Sequence, residues 1–317
     1  MSSKEKYRAL CDREESIPIF SRDWWLDTVC GPDHWEALLA ERNGQIQAAM
    51  PLYIPTRGIV SMPSYTQTMG PWIKPAPADT KYTTELGRRQ AICQQFAEEL
   101  RRYPHFLQNF AYDITDWLPF YWAGYKQTTR YTYLLNHITD ETEVWRNMNP
   151  NIRRNILKAR DKLRLSIRRG IPVRQLLEIQ EYTFKRQHLR NKSDTHVLER
   201  LVDICRKRGQ GDIWGGYDQE GHLHAAAFVV WQPRSAYYIA GGGDPAYRAS
   251  GAQSLVLWEA ICHASSFTDR FDFEGSMLPG VERFFRGFGA IQTPYFTISK
   301  GKLSLLDRAR MKLSKWI

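Results

Sequence analysis

One succession of elements occurs twice in this chain and constrains the fold more than any single motif. In the first half, alternating apolar residues predict strands over 35–41 and 45–54 joined at Asn43-Gly44. That dipeptide supplies the two left-handed residues of a tight hairpin. Extended pieces follow at 59–62 and 66–70 around Pro63, then a long polar helix over 83–103, a strand over 106–112, a short helix over 117–123 and a strand over 128–135. The second half predicts a hairpin of 212–218 with 222–231 turning at Glu220-Gly221, then a strand over 237–240, a helix over 254–265, a strand over 270–274, a short helix around 283–286 and a strand over 291–298. Even the last junction rhymes, with Phe120-Tyr121-Trp122-Ala123-Gly124 in the first half and Phe284-Phe285-Arg286-Gly287-Phe288-Gly289 in the second. An order repeated at this length argues for two duplicated α/β (α+β) domains rather than one large sheet. The expected division is 1–137, 138–302 and a tail of 303–317.

Between the copies the pattern is helical. Helices are expected over 140–148, 151–163, 173–188 and 196–208, and an earlier short one over 22–29 with Ser21 as its cap. In the segment 151–163, Ile152, Ile156, Ala159 and Leu163 form an apolar stripe. From 153 to 169 the chain carries eight basic residues against one acid, Asp161. A charge run is commonly just a solvated face, yet this imbalance favours an anionic partner. The net charge of +10 points the same way without choosing among nucleotides, coenzyme phosphates, RNA and a membrane surface.

Composition excludes several classes. The 317 residues are 43% hydrophobic and 25% charged, as in a soluble globular protein, and no apolar run reaches membrane-spanning length. The first residues contain no apolar leader, so the chain is expected in the cytoplasm. Five scattered cysteines, with no CxxC pair, argue against a disulfide framework or a zinc ribbon. His222 and His224 share a strand face, but no third ligand was expected nearby, so no metal is expected. The tail places Leu306, Ala309, Leu313 and Trp316 on one helical face, which could rest on the inner face of a membrane or pack on protein. Oligomeric state is not legible.

The motif-bearing stretch is 237–300. The strand ending in Gly241-Gly242-Gly243 leads into Arg248-Ala249-Ser250-Gly251-Ala252-Gln253 and a helix, the arrangement of a general anion site. Asp272-Phe273-Glu274-Gly275-Ser276, followed by Phe284-Phe285-Arg286-Gly287-Phe288-Gly289, resembles the end of the FemABX-like aminoacyltransferases and their acetyltransferase relatives in the GNAT superfamily. Their D-F-x-G strand end and F-K-x-x-F-G turn are matched except that Phe285 stands at the lysine. Asn151-Ile152-Arg153-Arg154-Asn155-Ile156-Leu157-Lys158-Ala159 is similar to the family's R-x-x-I-x-K-A segment, and 66–71 to a piece of its first half.

This resemblance implies tandem GNAT domains, each a mixed, mostly antiparallel sheet flanked by helices, and transfer of an acyl or aminoacyl group to a primary amine. It implies a donor site in which Arg248, Ser250, Gly251, Ala252 and Gln253 cradle a pyrophosphate, although Gln253 replaces a small residue. Acyl-CoA, such as acetyl-CoA, is the donor placed first, and aminoacyl-tRNA on the basic helix is next. The acceptor would be an amino sugar, a peptide or a cell-wall precursor. A catalytically idle relative that binds an anion or scaffolds an assembly is the reading of a different class. Arg153, Arg154, Lys158 and Arg286 are candidates for substrate phosphate. Glu274 is the candidate general base and Tyr238 the candidate proton donor to the leaving group. Asp272 reads as a structural carboxylate in the turn.

Overall fold

The computed structural model describes residues 1–186 and 195–303. The expectation for the tail lies outside those residues. Contacts divide the chain into a unit made of Met1–Arg130 with the chain from Pro294 on, and a second of Tyr131–Thr293.

The first unit begins with α1 (Ser3–Arg13), capped by reciprocal bonds between Ser2 and Glu5, and α2 (Asp23–Cys30). Ser21 does not cap α2. It closes a 3-10 turn over Ile19–Ser21, and the cap position falls on Arg22, which makes no side-chain cap bond. Next come β1 (Trp35–Arg42) and β2 (Gln45–Thr56), joined by Asn43 and Gly44 at φ 51° and 72°. After β3 (Ile59–Ser61) and β4 (Trp72–Ile73) runs α3 (Tyr82–Glu99), followed by β5 (His105–Asn109) and α4 (Leu118–Trp122). Phe96, Phe106, Phe110 and Phe120 form the centre of the core beneath α3. Tyr7, Trp25 and Leu26 of α1 and α2 are buried in turn, and these helices pack against β1 and β2.

The second unit takes in most of β6 (Lys126–Asn136), then α5 (Glu141–Asn147) and α6 (Pro150–Leu157). The basic segment does not continue as one helix to 169. It passes into a π-helical turn, Lys158–Lys162, and then into a strand, β7 (Ser166–Arg169). Leu163, expected on the apolar stripe, is exposed because the wider turn rotates it off that face. Helices α7 (Val173–Arg186) and α8 (Thr195–Lys207) follow, then strands β8 (Gly211–Tyr217), β9 (Leu223–Gln232) and β10 (Ser235–Gly243). The glycine triplet is therefore the end of a strand. Helix α9 (Ala252–Ala264), β11 (Arg270–Asp272), α10 (Pro279–Arg286) and β12 (Ile291–Lys300) complete the chain.

Strands β8 and β9 are buried on both faces. Helices α5, α6, α9 and α10 share one core with Trp214, Val229, Tyr238 and Phe273. Ile213, Phe228 and Val230 alternate onto the other face, where α7 and α8 pack.

Pairing departs from the simple reading of the repeat in one respect. The last strand of the first copy, β6, pairs with β11, and the last strand of the second copy, β12, pairs with β5. The strands of each unit are thus completed by the final strand of the other copy.

Candidate functional site

Strands β10 and β11 run parallel, but only Ala236↔Phe271 and Tyr237↔Asp272 are in register. Beyond that pair β10 continues to Gly243, while the other chain turns through Glu274 and Gly275 at φ 62° and 63°. Strand β11 is thus shorter than expected and ends at Asp272, so Glu274 does not share a strand face with it. The result is a wedge between 238–243 and 273–276 where no ladder joins the two chains. Its walls are fixed: a Cβ on Gly275 would lie 2.1 Å from the Tyr131 oxygen, and one on Gly241 would lie 2.3 Å from the Ala226 oxygen.

Asp272 accepts the Glu274 backbone N–H at 2.8 Å and also the Thr132 hydroxyl, which is the structural role its sequence suggested. Burial pushes its pKa up to about 6, against those bonds. Glu274 is pushed well above the ordinary carboxylate range, by burial and then by the Asp272 charge. Both causes favour its protonated form, a direction that suits a proton donor better than a base. Tyr238 is buried, its pKa is raised by desolvation, and its hydroxyl is hydrogen-bonded by the Gln253 side chain. Gln253 thus turns inward to the sheet.

The expected anion loop is well defined. Pro245–Ser250 is a short 3-10 segment, and Gly251 adopts φ 81° at the cap of α9. The Ser250 hydroxyl accepts the Ala252 N–H at 3.2 Å. Only glycine fits at 251, since a Cβ would lie 2.4 Å from the Asn155 oxygen of α6. Lys158 Nζ donates to the Ala249 carbonyl at 2.6 Å, so the structure brings the basic segment and the loop together. Arg248, beside that carbonyl, is exposed. Arg153, Arg154, Lys158 and Lys162, with Pro150, Leu157 and Asp161, line an open depression of about 540 Å³. Arg286 is exposed on α10 and bonds Glu282 at 2.7 Å, and nothing places it with the other basic residues.

Two features were missed from sequence. Phe285 is not a surface stand-in for the family lysine: it is buried, stacked on Phe273 at 5.0 Å and edge-on to Tyr238 at 5.9 Å. The histidine pair has a third partner after all. Asp218 meets His222 at 2.9 Å and His224 at 3.1 Å, and Tyr247 stacks on His224 at 3.9 Å. Asp218, Glu220 and His222 present ligand atoms within 4.8 Å of one another, and Asp218 engages one nitrogen of each imidazole, His222 Nδ1 and His224 Nε2. The spacing Asp218-x-Glu220-x-His222-x-His224 was the signal available. Through Tyr247 this hairpin braces the segment that bears Arg248.

Residues 146–286 match the model of the acetyltransferase (GNAT) domain family. No curated protein matches the chain. Among solved structures, FemX shares the fold with a TM-score of 0.68 and 12% identity, over 99% of this chain and 98% of that one. The C-terminal domain of a putative lysylphosphatidylglycerol synthetase from Agrobacterium fabrum gives 0.57 and 11%, over 98% and 96%. A tandem GNAT protein from the clavulanic acid biosynthesis pathway gives 0.54 and 12%, over 94% of each chain. Residues 146–286 thus carry a GNAT acetyltransferase domain built around the wedge, and the chain as a whole shares its fold with FemX.

Proposed function

We propose that the chain transfers an aminoacyl or acyl group from a phosphate-bearing donor to a primary amine, and that aminoacyl-tRNA is its donor. The observation that carries this reading is the open depression lined by Arg153, Arg154, Lys158 and Lys162, tied to the 248–251 loop by the Lys158–Ala249 bond. A broad cationic surface of this kind suits a polyanion with many phosphates better than one pyrophosphate. Acyl-CoA is the second reading, supported by Ser250 and Gly251 at the start of α9. There Arg248 and the Gln253 backbone N–H would meet the phosphates.

The reaction needs little beyond positioning. The amine nitrogen attacks the donor carbonyl, a C–N bond forms and the bond to the leaving oxygen or sulfur breaks. Glu274, whose pKa burial and the Asp272 charge raise, gives its proton to that leaving atom and recovers one from the attacking nitrogen. Tyr238 is assigned a supporting role at the wedge through its bond to Gln253.

Aminoacyl-tRNA and acetyl-CoA, each labelled in the transferred group, are offered with a panel of primary amines, and amide formation is followed. The expected result is transfer from tRNA and its loss in Glu274→Gln. Transfer from acetyl-CoA alone would move the donor to the second reading, and transfer from neither would leave an anion-binding relative without catalysis.

A further inference from the structure

Phe285 packs where β10 and β11 part. The ladder between β10 and β11 ends at Tyr237↔Asp272, so Tyr238 and Phe273 are the first residue on each wall beyond it. Phe285, from α10, touches both, stacking on Phe273 at 5.0 Å with a 22° angle and meeting Tyr238 edge-on at 5.9 Å. All three rings are buried, at 4%, 1% and 8% exposure for Phe285, Phe273 and Tyr238. Phe288, also fully buried, backs Phe273 at 5.2 Å.

Both walls are closely packed at their glycines. Gly275 is pressed against the Tyr131 carbonyl and Gly241 against the Ala226 carbonyl, with no room even for a methyl group. Tyr238 is held further by Gln253, and its hydroxyl lies 2.8 Å from where a Cβ on Gly241 would sit. Interiors packed in this way resist the insertion of even a methylene.

We infer that the Phe285–Tyr238–Phe273 plug sets donor specificity, by excluding a pantetheine-type arm from the wedge so that the transferred group must be presented from outside it. This rests on the proposed acyl transfer, and it makes Phe285 a specificity-determining residue and Gln253 the residue that positions Tyr238.

The test is calorimetric titration of acetyl-CoA and a longer acyl-CoA into the full chain, the Phe285→Ala and Phe285→Leu variants, and Gln253→Ala. Far-UV circular dichroism checks the fold of each. The expected result is no measurable binding to the wild type and a gain of about tenfold or more in affinity for Phe285→Ala, with a smaller gain in Phe285→Leu. Wild-type binding of acyl-CoA that Phe285→Ala leaves unchanged would overturn the inference. So would a folded Phe285→Leu or Gln253→Ala chain with no gain at all. Either failure leaves the donor-transfer assay free to succeed, so the plug and the proposed function fail separately.

Discussion

The two units treat the same structural gap in opposite ways. In the first, β3 and β5 are parallel at Ile59↔His105 and Val60↔Phe106, and the chain after β3 returns to continue that edge with backbone. Met69 bridges Phe110, its N–H donates to the Asn109 carbonyl at 2.7 Å, and Asn109 Nδ2 donates to the Gln67 carbonyl at 2.9 Å. In the second, β10 and β11 part after two pairs and only side chains meet across the gap. A gap zipped by main chain is committed to structure. A gap closed by three rings can be altered one residue at a time, and it adjoins the loop and basic segment expected to carry phosphate. On the proposed function, the second gap is the one placed for chemistry.

Substitutions that force each gap should separate the copies. The largest loss is expected in Gly275→Ala, where the new Cβ would stand 2.1 Å from a carbonyl oxygen at a left-handed φ of 63°. Thermal unfolding should show a loss on the order of 4 kcal/mol or more, with donor binding lost as well.

Asp272 gives the second unit a pH signature. Its folded pKa, about 6, lies above the ordinary 3.8 of an aspartate, so the folded chain keeps a proton that the unfolded chain releases. Stability from this group is full below pH 4 and declines by about 3 kcal/mol as pH rises through 6. Asp272→Asn can still accept from Glu274 and Thr132, and should flatten that decline in denaturant titrations at pH 4 and 7. It should also move the alkaline limb of activity to lower pH, because Glu274 loses the charge that raises its pKa.

In the first unit Gly70→Ala would press a Cβ to 2.9 Å from the Phe110 ring at φ 90°. A loss of about 2–3 kcal/mol in unfolding is expected, with donor binding intact. Gly44→Ala, at φ 72° with nothing within 4 Å, should cost only about 1 kcal/mol. If Gly70→Ala abolished donor binding, the division of labour between the copies would fail.

Much of this was legible in the sequence because its signals are local. Asn43-Gly44 names its turn, and the alternation in 212–231 names a buried hairpin. The exchange of β6 and β12 was not, because strand pairing between distant segments leaves no trace in the order of elements. Gly251 was read as a turn residue or cradle, but the contact that requires it comes from the Asn155 backbone, which has no side-chain signature. From sequence, Phe285 was known only as the residue at the family's lysine position. Its burial follows from the two rings beside the wedge, which only the fold brings together.

The central claim is that the basic segment of the second unit holds a polyanionic donor. It is tested most directly by fluorescence anisotropy of labelled tRNA with the wild type and the Arg153→Glu/Arg154→Glu double variant across a salt series. The account predicts wild-type affinity that falls linearly with the logarithm of salt, and a double variant weaker by about tenfold or more with a slope reduced by about two. Equal affinity and equal slope for the two proteins would contradict it.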